Sequence, residues 1–587
     1  MVVSLSATVQ TAQSQSDPSQ IQQTPLPGGT QTQPSSPATR TAPPETPVSP
    51  LPTGSEIIVS RLQGIIFVSD PAAVQPNGVT SPGLTVRDTA TLQSQAFLDS
   101  IKPLLGQPVT FDRLNEISRR VVAFYRKQGH PFVNVTVPPQ NIQSGTVQFL
   151  VTEYHIGRVT VEGNRWFSVS TIRRGVRLKP GDPIDDQTLA DDIDALNENP
   201  FRHVGAIYRP GAEAGTTDLV LKTEDRFPMR FSGTFDNSGT QATGLARWGL
   251  GIDWGNAFWL GHALSFQYQS SSDLFQDRTP PDGASLPPSF QGYSASYAIA
   301  LPLGRSLSVS GSYQQQVPRL GESLGEVGIN GQASIRYGIP LGLLFGQKQR
   351  IAAGYDFKTS NNNLSFGGTQ VFASTTQINQ FLLDYTLEQS DGWGRTTAGN
   401  ELVLSPGNLT PLNNNTTFQQ NMPGATARYA YDRINLTRIT PLPLGMSAVT
   451  FGTLQFASQN LLASEQLCGG GLDTIPGYEL CTISGSAGYL FRQEVRSPSF
   501  SLFRVVGLGE RADQMQFDAF WGYTALHNKS VTAGTPDPQR IESLGIGVRY
   551  AFDRYLSFRL EYGWQLLAAP GHSSSGSFGN FALTVAF

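Results

Sequence analysis

The last eight residues, Asn580-Phe-Ala-Leu-Thr-Val-Ala-Phe587, alternate with period two: Phe581, Leu583, Val585 and Phe587 fall on one side of an extended chain, small or polar residues on the other. That period belongs to a strand lying between two different environments. The same texture fills the chain from Phe231 onward. Leu264, Phe266 and Tyr268 alternate with Ser265 and Gln267, Tyr550, Phe552, Leu556, Phe558 and Leu560 continue it, and helical periodicity disappears.

The preceding third reads differently. Ile57 to Val68 predicts a strand and Leu92 to Leu105 a helix. Phe111 to Lys127 carries Leu114, Ile117, Val121 and Phe124 at helical spacing and stops at Gly129. Strands follow at Phe132 to Val137 and Thr146 to Glu153. The order then recurs: strand His155 to Glu162, helices near Ser168 and over Ile184 to Asn197, strands His203 to Arg209 and Thr217 to Thr223. Ile184, Leu189, Ile193 and Leu196 form the core face of the longer helix in this second unit. Residues 10 to 54 are rich in Gln, Ser, Thr and Pro without an aromatic residue, a composition that cannot offset the entropy of ordering and predicts a disordered linker.

Composition narrows the class. Hydrophobic content is 39% and charged content 15%, with 60 Gly, 33 Phe and 18 Tyr, which suits many strands joined by polar turns. The longest apolar stretches, such as Ile339 to Phe345, fall far short of the roughly 18 residues a helical span needs. Whatever crosses a membrane here therefore crosses as strands. In a membrane barrel the two environments of the terminal strand are lipid and a polar interior, and no charge sits on its apolar side. The 359 residues from 229 onward give about 22 per strand and connection for 16 strands, with roughly 10 to cross the bilayer; 14 or 18 strands are also compatible. A net charge of −4 leaves no polybasic surface, so no nucleic-acid partner is expected. A secretory signal is expected ahead of a barrel. Met1-Val-Val-Ser-Leu-Ser-Ala-Thr-Val9 has no basic region and only a short apolar core, so residue 1 is expected to lie inside or after the true signal.

Two consecutive units of strand, helix, helix, strand, strand resemble POTRA domains, periplasmic modules whose exposed sheet edges pair with extended client chains. Val159-Thr-Val-Glu-Gly-Asn164 is similar to the usual POTRA entrance. Asp236-Asn-Ser-Gly239 with Gly244 and Arg247 resembles the first barrel hairpin of the two-partner secretion transporters, the haemolysin-activator and filamentous-haemagglutinin transporter family. Leu461 to Gly470, continuing to Thr474-Ile475-Pro476-Gly477-Tyr478, is similar to that family's sixth extracellular loop, which folds back into the barrel. Gly485, Gly488, Arg492 and Glu494 match the strand leaving it, and Ser543 to Arg549 a strand near the end.

Two departures stand out. The family's loop tip reads Val-Arg-Gly-Tyr, and its arginine is thought to pair with the aspartate of a Phe-x-Asp-x-Gly strand. Here the tip has Pro476, and Phe520-Trp-Gly-Tyr-Thr524 puts Gly522 at the aspartate position. Both halves of one ion pair are absent together, as the cost of a lone buried charge requires. Pro476 stiffens the tip by fixing φ, and Cys468 and Cys481 flank it, so an oxidising compartment can join them. Two free thiols are the alternative.

Catalytic signals are weak. Gly507-Leu-Gly509 mimics a dinucleotide fingerprint with no helix after it and reads as a strand-to-loop junction. Gly485-Ser-Ala-Gly488 lacks the first glycine of a nucleophile elbow. His130, His155, His203, His262, His527 and His572 show no ligand spacing, so no metal or other cofactor is expected. Arg492 and Glu494 share one strand face and read as inward charges that wet the pore and hold the loop, not as acid and base.

The expectation is a non-enzymatic, all-β transmembrane barrel of about 16 antiparallel strands (229–587, with an inward loop near 464–482). Two α+β POTRA domains (55–154 and 155–228) and a disordered linker with a signal remnant (1–54) precede it. The family resemblance implies a bacterial outer-membrane pore exporting one large haemolysin- or adhesin-like β-helical partner, bound as extended chain and folding outside, with that folding supplying direction. It further implies contact with outer-membrane lipid and the barrel assembly machinery, for which Phe581, Leu583, Val585 and Phe587 are the expected signal. A barrel-assembly insertase and a passive diffusion porin are the alternatives; the first usually carries more POTRA units, and the second leaves both α+β units unexplained.

Overall fold

The structure is a computed structural model that describes residues 54–587 except Pro131, Ala214, 276–286, 319–323, 345–346, 367–368, Glu510 and 532–536. The expected linker and signal remnant (1–54) lie outside the described residues except for Gly54. The chain divides into two compact units between Phe227 and Pro228.

The N-terminal unit holds both α+β modules. In the first, β1 (Gly64–Val68) lies between β2 (Gly83–Val86) and β4 (Thr146–Glu153), parallel to both, and β3 (Val133–Thr136) pairs antiparallel with β4. Helices Gln95–Ile101 and Phe111–Lys127 start where Ser94 and Thr110 cap free N–H groups with their hydroxyls. Leu114, Ile117 and Val121 are buried as their spacing predicts, and Phe124 is partly buried. Strand β2 was not legible in the sequence, and the expected strand over Ile57 to Val68 starts only at Gly64.

In the second module β7 (Thr216–Asp225) is central, parallel to β5 (His155–Glu162) and antiparallel to β6 (Arg202–Pro210). Asp225 accepts the N–H groups of Arg165, Trp166 and Phe167 and so fixes the turn after Gly163. Helices Val169–Arg174 and Asp186–Asn197 cover one face, with Ile184, Leu189, Ile193 and Leu196 buried. Burial pushes the carboxyl of the cap Asp185 up, but hydrogen bonds from Thr188 and Gln187 outweigh it and leave it below the usual carboxylate range. The modules meet where Asp186 donates its N–H to the Gly129 carbonyl and the Phe132 and Tyr208 rings lie 4.4 Å apart. Among the described residues strand β6 pairs with β7 alone, so its other edge is free within the sheet.

The C-terminal unit is a closed barrel. Its first strands are β8 (Met229–Asp236), β9 (Arg247–Ala257), β10 (His262–Ser271), β11 (Phe290–Ala300) and β12 (Ser306–Gln316). Then come β13 (Leu324–Leu344), β14 (Gln347–Phe366), β15 (Thr369–Asp391), β16 (Gly394–Ser405), β17 (Tyr429–Pro441) and β18 (Ser447–Ala457). A hairpin, β19 (Leu467–Gly469) with β20 (Ile483–Gly485), interrupts the wall. The last strands are β21 (Ala487–Arg496), β22 (Asp513–His527), β23 (Gln539–Phe552), β24 (Leu556–Gln565) and β25 (Ser577–Ala586), and β25 pairs antiparallel with β8 to close a ring of 16 strands.

Alternation sorts the two faces as expected. On β24, Arg559, Glu561 and Gly563 face inward and are buried, while Leu560, Tyr562 and Trp564 face outward. Strands β13 to β15, at 21, 20 and 23 residues, are twice the roughly 10 that a crossing needs. Because β16 pairs only with Phe381–Asp391, the first half of β15 runs past the wall at one end of the barrel, where helix Asn415–Asn421 packs against it. A second helix, Leu502–Val505, precedes Gly507 and Gly509, both at positive φ. That segment is therefore a helix-to-loop junction, not the strand end expected. Both helices span about one turn or two, too short for periodicity to reveal.

Candidate functional site: the inward loop and its charged wall

The inward parity of four neighbouring strands fixes the site. On β21 it presents Arg492 and Glu494, on β22 Asp518, Phe520 and Gly522, on β23 Ser543 and Arg549, and on β24 Arg559, Glu561 and Gly563. These charges interlock. Arg492 lies 2.6 Å from both Glu494 and Glu561, Arg549 bridges Glu494, Asp518 and Glu561 at 2.9–3.0 Å, Arg496 binds Glu494 at 2.6 Å and Arg559 binds Glu561 at 2.6 Å. The Arg492 guanidinium also stands 5.1 Å from the Phe520 ring centroid. The wall thus holds four arginines against three carboxylates.

The fourth carboxylate comes from the connection between β18 and β21, which dips into the lumen. Asp473 Oδ1 sits 2.8 Å from Arg559 Nη1, and the carbonyl of Leu472 accepts from Arg492 at 2.8 Å and Arg559 at 3.0 Å. The residues after it climb the β23 to β25 wall. Thr474 closes the turn by bonding both backbone groups of Gly470. Ile475 is fully buried, and a Cβ on Gly522 would lie 2.9 Å from its Cδ1, so the missing side chain at 522 leaves room for it. The Pro476 carbonyl accepts from Ser543 at 2.5 Å. Gly477, at φ +95°, donates to Asn580 Oδ1 and accepts from Gln565, and its backbone presses on Gly563 so closely that a Cβ there would meet it at 2.7 Å. Tyr478 places its hydroxyl 2.8 and 2.6 Å from the carbonyls of Glu542 and Leu567.

The near end of the connection is held on the opposite wall. Glu465, buried, lies 2.8 Å from Lys358 on β14 and accepts from Gln380 on β15 and Tyr431 on β17. Strands β14 and β24 are eight places apart in the ring of 16, so the segment spans the lumen with a carboxylate bound at each side. Cys468, between these anchors, and Cys481, after the tip, are joined as a disulfide with Cα atoms 5.0 Å apart.

Residues 215–522, more than half of the chain, match the family model described as haemolysin secretion/activation protein ShlB/FhaC/HecB. The chain belongs to this family. Residues 82–153 match the ShlB-type POTRA domain, and 154–222 the POTRA model described as surface antigen variable number repeat. The heme/hemopexin transporter protein HuxB of Haemophilus influenzae strain 86-028NP is 21% identical over 468 residues, 77% of each chain. The outer membrane transporter CdiB of Dickeya dadantii strain 3937 is 20% identical over 505 residues, 84% of each chain. The solved structure of CdiB from Escherichia coli shares the fold, with a TM-score of 0.73 at 16% identity over 94% of this chain and 95% of that one. The protein is accordingly an outer-membrane two-partner secretion transporter of the ShlB/FhaC/HecB family, with its POTRA domains in the periplasm.

The family's loop-arginine pair is absent, as the sequence indicated, but the loop is not without an ion pair. Positions 476 and 522 carry no charge, but an ion pair of opposite polarity lies three residues earlier, with the acid on the loop and the arginine on the wall. Sequence reading found Arg492, Glu494, Phe520, Gly522 and the tip 474–478, all of which the fold brings together. It missed Asp473, Arg559, Glu561, Arg549, Asp518, Glu465 and Asn580. A signal for three of them existed, since charges alternate with apolar residues in Phe558-Arg559-Leu560-Glu561-Tyr562 and around Arg549. Phe581, Leu583 and Val585 lie on the outer face of β25, remote from the loop, and Phe587 exchanges backbone hydrogen bonds with Phe231 of β8.

Proposed function

We propose that this transporter exports a large haemolysin- or adhesin-like partner that is captured as an extended strand at the free POTRA edges and threads a lumen vacated by the inward loop. The observation that carries this reading is the loop itself. It spans the lumen between opposite walls, yet among the described residues it is held by hydrogen bonds and ion pairs and by no continuous strand pairing with the wall, so displacing it costs side-chain contacts without opening the wall. Release breaks the contacts of Asp473 and Leu472 first, because the Asp473 side chain is 62% exposed whereas Glu465 at the other anchor is 1% exposed. Glu465 then serves as the fixed end about which the segment swings, and the disulfide keeps the tip in one piece.

Capture follows from edge chemistry. A free strand edge offers N–H and C=O groups to any extended chain, which suits a client recognised before it folds. Folding of the client outside supplies direction. The outward row of β25, ending at Phe587, is the segment read by the assembly machinery when the barrel enters the lipid bilayer.

The test is secretion of the exoprotein partner, co-expressed with this chain. Pro placed singly along β6, between His203 and Arg209, at positions whose N–H points away from β7, removes a donor for the client strand and leaves the β6–β7 ladder intact. Export should fall sharply while the amount of assembled barrel stays constant. Normal export by every such variant would refute edge capture.

A further inference from the structure

The four wall arginines exceed the three wall carboxylates by one charge, and the excess is neutralised by Asp473 of the loop. Asp236, the next carboxylate near the tip, faces Arg247, which it shares with Asp273. When the loop leaves, Arg492 and Arg559 together lose three acceptor contacts, two to the Leu472 carbonyl and one to Asp473. Arg492 is 1% exposed, and its Nε has no hydrogen-bond partner even with the loop in place. Arg492 keeps Glu494 and Glu561 and Arg559 keeps Glu561, but donors that lose an acceptor in a buried wall are costly, so the vacated wall favours whatever restores the lost contacts.

We infer that the β21 and β24 wall, around Arg492 and Arg559, is a binding site for acidic side chains of the chain in transit, and that Asp473 is its resident placeholder. The inference rests on the proposed displacement of the loop. The ligand chemistry is specified by what the loop now provides: a backbone carbonyl from one residue and a carboxylate from the next, Leu472 and Asp473, presented to two guanidinium groups. Any extended polypeptide with Asp or Glu offers the same pair. A neutral segment restores only the carbonyl contacts, and a basic one is repelled by the excess charge. Acidic residues of the client would therefore compete with Asp473 and keep the loop out while the client passes.

The experiment uses the full chain in planar lipid bilayers, with hexaglutamate and hexalysine as probes of channel block. The variant D473N removes the competing carboxylate and touches none of the wall. It should be blocked by hexaglutamate at a concentration lower than the parent requires by about tenfold, the scale of one charge-assisted hydrogen bond. Hexalysine should block neither protein at that concentration. Adding R559Q to D473N balances the wall and should abolish the gain. Where that double variant fails to assemble, as judged by heat-modifiable migration, D473N with R559K replaces it, since lysine keeps the charge but cannot reach both acceptors at once. Equal block of D473N by the two peptides, or block unchanged by either Arg559 substitution, overturns the carboxylate site, and it does so with loop displacement intact if D473N conducts more than the parent. A D473N channel with the parent's conductance, loop protection and hexaglutamate sensitivity overturns the displacement and the site together.

Discussion

The carboxylate of Asp473 lies 2.8 Å from the guanidinium of Arg559, a loop acid on a wall arginine, where the family pattern puts a loop arginine on a wall aspartate. Either polarity satisfies the same requirement, that a charge buried in a wall be matched when the loop is home. The wall dictates which sign the loop must carry, and here the wall is one arginine in excess.

Neutralising Asp473 should loosen the tip without unfolding the barrel. With its side chain largely exposed, the pair contributes nearer 1 kcal/mol than the 1.5–3 kcal/mol of a buried charged hydrogen bond. Limited proteolysis of D473N should cleave Gly469 to Leu480 several times faster than in the parent, and D473K faster still, because it adds a cation to the excess. Identical cleavage rates in all three would remove Asp473 from the restraint.

The contact between Gly477 and Gly563 admits no side chain. A Cβ on Gly563 would fall 2.7 Å from the Gly477 Cα and from the Pro476 carbonyl, both backbone atoms of the loop. G563A should therefore displace the tip more than D473N does, leaving the amount of heat-modifiable barrel unchanged, and raise single-channel conductance. A G563A channel as quiet and as protected as the parent would show that the tip does not depend on this approach.

The disulfide makes a separate prediction. Native protein should titrate no free thiol from Cys468 or Cys481 until reduced, and C468S should raise proteolysis of the tip. Closing a loop of this length is worth about 3 kcal/mol in the chain-entropy model. The Asp473 pair is screened by salt and the disulfide is not. In C468S, tip cleavage should become salt-dependent; two titratable thiols in oxidised protein would leave the charges and Pro476 as the restraint.

Phe587 ends the outward row and its backbone donates to and accepts from Phe231 at 2.8 and 3.0 Å, so it belongs to the seam that closes the barrel. Its ring, 77% exposed to the surroundings of the barrel, gains about 1.5–3 kcal/mol when covered by lipid. Removing Phe587 should lower the quantity of inserted barrel in membrane fractions, and F587A should lower it less because the backbone pairing stays. Equal insertion of both variants and the parent would exclude a role in assembly.

Alternation alone was enough to separate the faces of β22, β24 and β25, because a strand's side chains must point to opposite sides whatever the partner. Helical spacing likewise placed Ile117, Val121, Ile193 and Leu196 in their cores. Period says nothing about which strands are neighbours or how deep a residue lies. That Glu561 on β24 meets Arg492 on β21, that Asp473 reaches Arg559 86 residues away, and that Gly563 makes room for Gly477 are consequences of barrel closure and register, which bring together positions with no local signal in common. The sequence by itself determined the faces and the fold; the tertiary structure decided the charge balance inside, because a net excess of one arginine exists only among side chains that share one buried volume.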